Sequence, residues 1–372
     1  GMTAGGLVMG VTVPMSLHAE EGETGFHPKV FIQIAENGDT TLYCGRAEMG
    51  QGISTALPAA VADELEADWS RVTVLQGDGD KKYGSQATGG SRSINEFFIP
   101  MRTAGAAMRE MLIKAASQSW GIPESDCYAE LHFVHNKKNK KKLSYGELSS
   151  VAAKLPVPTK PALKSKDQFR YIGKPLTRHD QDEVVVGKRT YGIDTKIPGL
   201  KYAAITHVPV YGGKLKSVDK TGALKMKGVV DVVEVERIKS PFSSLGGVAV
   251  VADNTWTAQQ ALKKLKIEWD LGEHKGYDSK TYLQDLIKNV ESPAEKIFSR
   301  GDVDKGLEEA ATRHSASYTG GHLSHSPMEP MASLAWVQDD SCEIWASTQN
   351  PQQIQQVIAI FLGRKEEDIV VH

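Results

Sequence analysis

Residues 48–69 read EMGQGISTALPAAVADELEADW. Gly50 and Gly52 flank Gln51, a spacing that suits a loop whose backbone comes close to a partner, since glycine has no side chain to hold it off. Beyond the loop, Leu57, Val61 and Leu65 recur every four residues on one face of a helix. Ser54 or Thr55 can cap that helix, and Pro58 falls in its first turn. Upstream, Val30, Ile32 and Ile34 alternate, Asn37-Gly38-Asp39 makes a turn, and Thr41 and Tyr43 resume the alternation, which predicts a hairpin. Downstream, residues 71–76 read as a strand. A second glycine-rich loop follows, GSQATGGSRS at 84–93, and leads to a helix near 101–120 that stops at Gly121. The pattern is strand, glycine loop, helix, repeated.

The rest of the chain is organised around this unit. Lys137, Lys138, Lys140, Lys141 and Lys142 surround Asn139, and without interleaved aromatics they read as a solvated hairpin tip. Residues 154–178 carry Pro156, Pro158, Pro161 and Pro175 and read as an extended linker, hence a domain boundary. Short Val/Ile runs at 184–186, 203–210, 229–235 and 248–251 predict a mostly β segment. A helix at 257–265 and a strand at 266–269 complete it. A helical acidic segment spans 302–311, strands are expected at 313–318, 332–337 and 343–347, a helix at 352–362, and a last strand at 368–372.

Composition narrows the function. Lys and Arg number 44 and Asp and Glu 46, a net charge of −2, so no global charge favours nucleic acid or an anionic membrane. At 40% hydrophobic and 24% charged, the 372 residues read as a folded chain of two or three domains. The three cysteines, Cys44, Cys127 and Cys342, are far apart and form no C-x-x-C pair, which excludes a four-thiolate iron–sulfur cluster or Cys-rich zinc site held by this chain alone. Residues 2–17 are uncharged and apolar, too short and Gly-rich to span a membrane. They suit either a signal-peptide h-region or an N-terminal strand.

The common catalytic patterns are missing: no G-x-S-x-G elbow, no G-x-x-x-x-G-K-[ST] loop, no H-E-x-x-H. His322, His325 and Glu329 make a weak metal pattern interrupted by Pro327, and no metal ligand is assigned. What remains is the pair of loops at 49–52 and 87–93, each entering a helix. Backbone N–H groups and a helix N-terminus together favour an anion, so the pair suits a phosphate- or pyrophosphate-bearing cofactor, with Gln51 and Arg92 adding polar contacts. Two ordinary turns are the other reading of the same spacing.

The loop Glu48-Met49-Gly50-Gln51-Gly52, the helix text from Pro58 to Trp69 and Ala87-Thr88-Gly89-Gly90-Ser91-Arg92-Ser93 together resemble the pterin-binding segments of molybdenum hydroxylase large subunits, the xanthine dehydrogenase and aldehyde oxidase superfamily. Residues 184–270 resemble its α/β hammerhead domain. Residues 298–372, with Ser347-Thr348-Gln349-Asn350-Pro351 as the most specific part, resemble the opening of its molybdopterin-binding domain. The Met-Gly-Gln-Gly segment precedes the hammerhead, an order similar to the isoquinoline 1-oxidoreductase β-subunit branch. The resemblance implies an α+β chain: 1–21 a signal remnant or N-terminal strand, 22–153 a molybdopterin-binding-type α/β domain, 154–180 the linker, 181–295 the hammerhead, and 296–372 the first part of a molybdopterin-binding domain.

The resemblance also implies roles. Gln349 matches the glutamine that bonds an oxygen ligand of molybdenum and is the expected catalytic residue. Gly50, Gln51 and Gly52 match contacts to the pterin and its phosphates, and Gly89, Gly90, Ser91, Arg92 and Ser93 match the second pterin or dinucleotide loop. The implied cofactor is molybdenum with molybdopterin cytosine dinucleotide. The implied reaction is hydroxylation of an N-heterocycle or aldehyde with water as oxygen donor. The implied partners are a small subunit with two [2Fe–2S] clusters and the C-terminal half of the same large subunit. The branch further implies periplasmic residence by twin-arginine-type export, with a cytoplasmic location as the alternative. The family's later segments, including the one that provides its catalytic base, have no match here. The chain is therefore expected to be the N-terminal half of a large subunit, inactive alone. The other reading is a non-catalytic domain that binds a partner and holds no molybdenum.

Overall fold

The computed structural model describes residues 7–10, 30–238 and 245–372. These fall into two compact units, one built from the chain up to Thr195 together with Glu329–His372, the other from Lys196–Met328. Of the apolar stretch at 2–17, only Leu7–Gly10 lies within the described residues.

The first unit opens with a four-stranded sheet in the order β1 (Leu7–Gly10), β2 (Val30–Ile34), β3 (Thr40–Cys44) and β4 (Val72–Gln76). β1, β2 and β3 pair antiparallel, and the Asn37-Gly38 turn joins β2 to β3 with Gly38 at φ 90°. β3 and β4 are parallel, Thr40 opposite Val72 and Cys44 opposite Gln76, so the chain between them must cross over. The crossover is helix α1 (Ile53–Leu65), and after β4 comes α2 (Arg92–Trp120). Ile32, Ile34 and Leu42 from the sheet meet Leu57, Val61 and Leu65 of α1 and Met101, Met108 and Leu112 of α2 in one buried core. The run Ala104-Gly105-Ala106-Ala107 lets the helices touch: a Cβ at Gly105 would sit 2.4 Å from the Val61 carbonyl oxygen.

α2 begins well before the expected 101, because Pro100 is carried inside the helix rather than marking its start. A meander follows, β5 (Cys127–Glu130), β6 (Phe133–Asn136) and β7 (Lys142–Ser144), with the lysine run at its second tip. It leads to α3 (Tyr145–Ala152), closed by a Ser144–Glu147 capping box. The first tip places two non-glycine residues, Leu131 and His132, at positive φ. His132 is wholly buried there: the Asp68 N–H donates to its Nδ1 at 2.7 Å, so its Nε2–H donates to Thr40 Oγ1 at 2.9 Å. Burial and the Arg71 charge push this imidazole down to about 4, leaving it neutral.

The proline-rich stretch does not run free. Asp63 and Glu64 on α1 are fully buried and tie it down. Asp63 accepts from the N–H groups of Arg170, Tyr171 and Ile172 and from Lys164 Nζ at 2.7 Å. Glu64 accepts from Arg102 and Arg109 of α2 and from the Lys164 N–H. Burial raises the Asp63 pKa, but the Ile172 N–H, Lys164 and the neighbouring amides outweigh it and hold the carboxyl below its usual range. The Val run at 184–186, expected as strand, lies largely in a short helix, α4 (Gln181–Val185).

The second unit holds an antiparallel sheet of β10 (Val229–Val235), β11 (Gly247–Ala252) and β8 (Tyr202–His207), and a separate pair of β12 (Lys266–Asp270) with β9 (Lys214–Asp219). The short α5 (Thr221–Leu224) and α6 (Thr255–Leu262) cover a small core of Val232, Val248, Val250 and Ala261. α7 (Ser279–Val290) and α8 (Val303–Glu308) follow, and the strand expected at 313–318 is not formed.

The last segment returns to the first unit as β13 (Ser333–Val337), β14 (Cys342–Ala346), α9 (Pro351–Leu362) and β15 (Ile369–Val371). β13 and β14 are antiparallel, whereas β14 and β15 run parallel around α9.

Candidate functional site

In open α/β sheets, ligands sit beyond the carboxyl ends of parallel strands, where loops turn into helices. Three loops here leave such strand ends: residues 45–52 after β3, 77–91 after β4 and 347–350 after β14. All three belong to the first unit, and hydrogen bonds join them.

The first loop folds around its own carboxylate. Glu48 Oε1 accepts from the N–H groups of Gly50 and Gly52 at 2.8 and 3.0 Å, and Oε2 from the N–H and hydroxyl of Ser54 at 3.0 and 2.7 Å. Gly50 and Gly52 reach those positions at φ 101° and 82°, which a side chain would strain. α1 therefore starts at Ile53 behind Gly52, with neither Ser54 nor Thr55 as its cap, and Pro58 lies in its second turn. The Ser54 proton goes to Glu48, so His179 Nε2–H donates to Ser54 Oγ at 3.1 Å. Burial raises the Glu48 pKa, but the Ser54 and Gly52 donors prevail and keep it ionised below its ordinary value. Gln51 turns inward too: its Nε2 donates to the Ala47 carbonyl, and its Oε1 accepts from the Met49 N–H.

The second loop is held only from beneath. Arg46, 1% exposed, lies over the Phe97 ring and donates through Nη1 to the Ala87 carbonyl and through Nη2 to Glu96. Its Nε has no acceptor among the described residues. The Ala47 N–H donates to Thr88 Oγ1 at 2.9 Å. Gln352 donates to the carbonyls of Gly84 and Asp80, and wholly buried Gln86 donates to the Asp78 carbonyl. Above this base, the N–H groups of Gly89, Gly90 and Ser91 have no acceptor among the described residues. Ser91, the N-cap of α2, sits left-handed at φ 58° and its hydroxyl caps nothing, so the helix N-terminus is open. A Cβ at Gly89 would meet no protein atom within 4 Å.

Gln349 is brought to this loop. Its carbonyl accepts from the Thr88 N–H at 2.8 Å, and its Nε2 donates to the Thr88 carbonyl at 2.7 Å. One amide hydrogen and the Oε1 remain without a partner among the described residues. Of the residues singled out by sequence, Gly89, Gly90, Ser91, Arg92, Ser93 and Gln349 thus share one corner. Gly50, Gln51 and Gly52 lie in a loop already satisfied by Glu48. Two groups that organise the corner, Arg46 and Glu96, had no motif of their own; their only signal was position, one after β3 and one in the first turns of α2. His322 meets Tyr277 at 3.2 Å, while Glu329 accepts from Ser347 Oγ and the Gly192 N–H; no cluster of three metal-ligating side chains occurs among the described residues.

Residues 3–193 match one molybdopterin cofactor-binding domain model and residues 287–372 match a second. The chain belongs to the molybdopterin cofactor-binding domain family. It is homologous to molybdenum hydroxylase large subunits. Curated relatives include the membrane-bound aldehyde dehydrogenase [pyrroloquinoline-quinone] of Gluconacetobacter polyoxogenes, 32% identical over 94% of this chain and 46% of that protein. The isoquinoline 1-oxidoreductase subunit beta of Brevundimonas diminuta is 29% identical over 93% of this chain and 49% of that protein. The chain spans about half the length of these two relatives. Among solved structures, quinoline 2-oxidoreductase from Pseudomonas putida 86 is similar at a TM-score of 0.41 and 17% identity, over 54% of this chain and 30% of that one.

The residues present fit a phosphate-bearing pterin. Unpaired N–H groups at Gly89–Ser91, the open space at Gly89 and the unused donor of buried Arg46 all ask for an acceptor.

Proposed function

We propose that this chain is the cofactor-holding part of a molybdenum hydroxylase large subunit that oxidises an N-heterocycle or an aldehyde, with water as the oxygen source, and passes electrons to an iron–sulfur subunit. The observation that carries the proposal is the corner where Gly89–Ser93 and Gln349 meet with unpaired donors. When bound, the molybdenum–pterin group supplies the hydroxylation and takes up the electrons. The protein's part is to hold and orient it. Gly89, Gly90 and Ser91 donate N–H groups to a phosphate of the cofactor, in the dinucleotide form, and Arg92 adds charge. The Thr88 N–H holds the Gln349 backbone, and the Thr88 carbonyl accepts one N–H of the Gln349 side-chain amide, which leaves the other N–H to donate to an oxygen at the metal. On α9, Ile360 and Phe361 are 82% and 70% exposed, an apolar face that suits cover by the rest of a large subunit. Periplasmic residence after twin-arginine-type export belongs to the same proposal and rests on the resemblance at residues 4–17.

The test is metal and pterin content. The chain is co-expressed with the half of the isoquinoline 1-oxidoreductase subunit beta that it does not match, and the purified complex is assayed for molybdenum and oxidised pterin. Stoichiometric molybdenum is expected, and Gln349→Ala is expected to retain it while turnover falls. A complex with pyrroloquinoline quinone in place of molybdenum would overturn the proposal.

A further inference from the structure

Glu96 lies between two arginines of different freedom. Arg46 holds its Oε2 from below. That guanidinium is buried and fixed at three points, by Glu96, by the Ala87 carbonyl and by the Phe97 ring. Arg92 faces its Oε1 from above, with Nε at 3.8 Å, beyond hydrogen-bond range, and its side chain is 52% exposed. Arg92 is also the first residue of α2 and directly follows the three unpaired N–H groups.

We infer that the Arg46–Glu96 pair sets how strongly Arg92 engages an anion at the Gly89–Ser93 loop, which makes Arg46 and Glu96 positioning residues for the phosphate of the cofactor. Electrostatics gives the direction. Arg46 cannot leave Glu96 without stranding a buried charge, so Glu96 is neutralised from the interior side. Among the described residues the Arg92 side chain is then held only by a long, solvent-screened interaction, which is weak. An incoming phosphate competes with half of a neutralised carboxylate instead of a free one. If Arg46 lost its charge, Glu96 would turn fully on Arg92 and draw it away from the loop.

The inference rests on the reading of 89–93 as the phosphate loop, and the test separates the two. Inorganic pyrophosphate is titrated into the chain at low ionic strength, with affinity from calorimetry and location from the amide shifts of Gly89–Ser91. Wild type is expected to bind with shifts at those amides. Glu96→Gln is expected to tighten binding about two- to fivefold, the size of one exposed ion pair. Arg92→Gln is expected to weaken it. In the Arg92→Gln background, Glu96→Gln is expected to change nothing, because Glu96 acts through Arg92. Arg46→Met is expected to weaken binding, and Glu96→Gln in that background to restore it. If Arg46→Met fails to fold, the Arg92 and Glu96 cycle decides alone. No effect of Glu96→Gln, or equal tightening without Arg92, would overturn the inference and leave the loop reading intact. Absence of pyrophosphate shifts in wild type would overturn both.

Discussion

In the loop after β3, Glu48 sits where an anion would sit, accepting from Gly50, Gly52 and Ser54. In the loop after β4, the matching N–H groups of Gly89, Gly90 and Ser91 have no acceptor among the described residues. Both loops are rich in glycine, both follow a strand of the same parallel pair, and both enter a helix. They differ in whether the chain supplies its own carboxylate. The first is a finished structural element that pins the start of α1. The second keeps its donors clear of the chain's own carboxylates among the described residues. Glycine spacing at a helix N-terminus therefore marks the capacity to bind an anion, not a vacancy.

The difference is broken most directly at Glu48. Glu48→Ala leaves three backbone donors and the Ser54 hydroxyl without their acceptor in a half-buried setting, and should cost about 4 kcal/mol in urea unfolding. Ser91→Ala removes a hydroxyl that caps nothing, and should change stability by less than about 0.5 kcal/mol. Comparable losses from the two substitutions would show that the loops are not in different states.

The C-terminal end of α1 gives the next largest effect, through pH. His132 accepts there from the Asp68 N–H, and burial together with the Arg71 charge lowers its pKa to about 4. Between pH 6.5 and 4 the unfolded chain takes up a proton that the folded chain refuses, so stability falls as pH falls through this window. The loss is roughly 2–3 kcal/mol. Glu48 works in a lower window: its pKa is depressed, so its contribution is present above its ordinary value and lost only as pH falls through the folded one. His132→Asn, which tolerates the positive φ, should flatten the upper window and leave the lower one. Urea midpoints measured from pH 7 to 3 check this.

How far the sequence carries depends on whether the partners of a residue are near in the chain. The hairpin at Asn37-Gly38, the succession of β3, α1 and β4, and α9 follow from local periodicity and turn chemistry, whereas the parallel pairing of β3 with β4 does not. The resemblance assigned the 87–93 loop and Gln349 to one cofactor, but their hydrogen bonds to each other are visible only in the structure, since Thr88 and Gln349 belong to distant segments. Asp63 and Glu64 are the opposite case. In the run ADELEADW they read as the polar side of an amphipathic helix, yet they are fully buried, because Lys164, Arg170 and the backbone at 171–172 lie on them. No local pattern reports a partner a hundred residues away. The role of Glu48 was hidden for another reason: it caps α1 from before the N-cap, whereas capping rules look for a side chain at the cap itself.

The smallest effect on folding gives the sharpest test of the open loop. At Gly89 an added Cβ meets no protein atom within 4 Å, and its φ lies outside the left-handed range. Gly89→Ala should thus leave stability unchanged or raise it slightly, by about 0.4–1 kcal/mol, through the lost freedom of the unfolded chain. Gly50→Ala offers the same open space, but φ 101° makes it destabilising whatever binds. The two alanines part on the second measurement. A methyl group at Gly89 stands in the space that a phosphate must enter to reach the unpaired N–H groups, so pyrophosphate binding should weaken although the protein is as stable as before. A methyl group at Gly50 stands beside donors that Glu48 already occupies, and pyrophosphate affinity should be unmoved in the protein that remains folded. If Gly89→Ala left binding intact, the phosphate would have to be placed elsewhere than on this loop, and the contrast between a closed loop and an open one would no longer describe where the ligand goes.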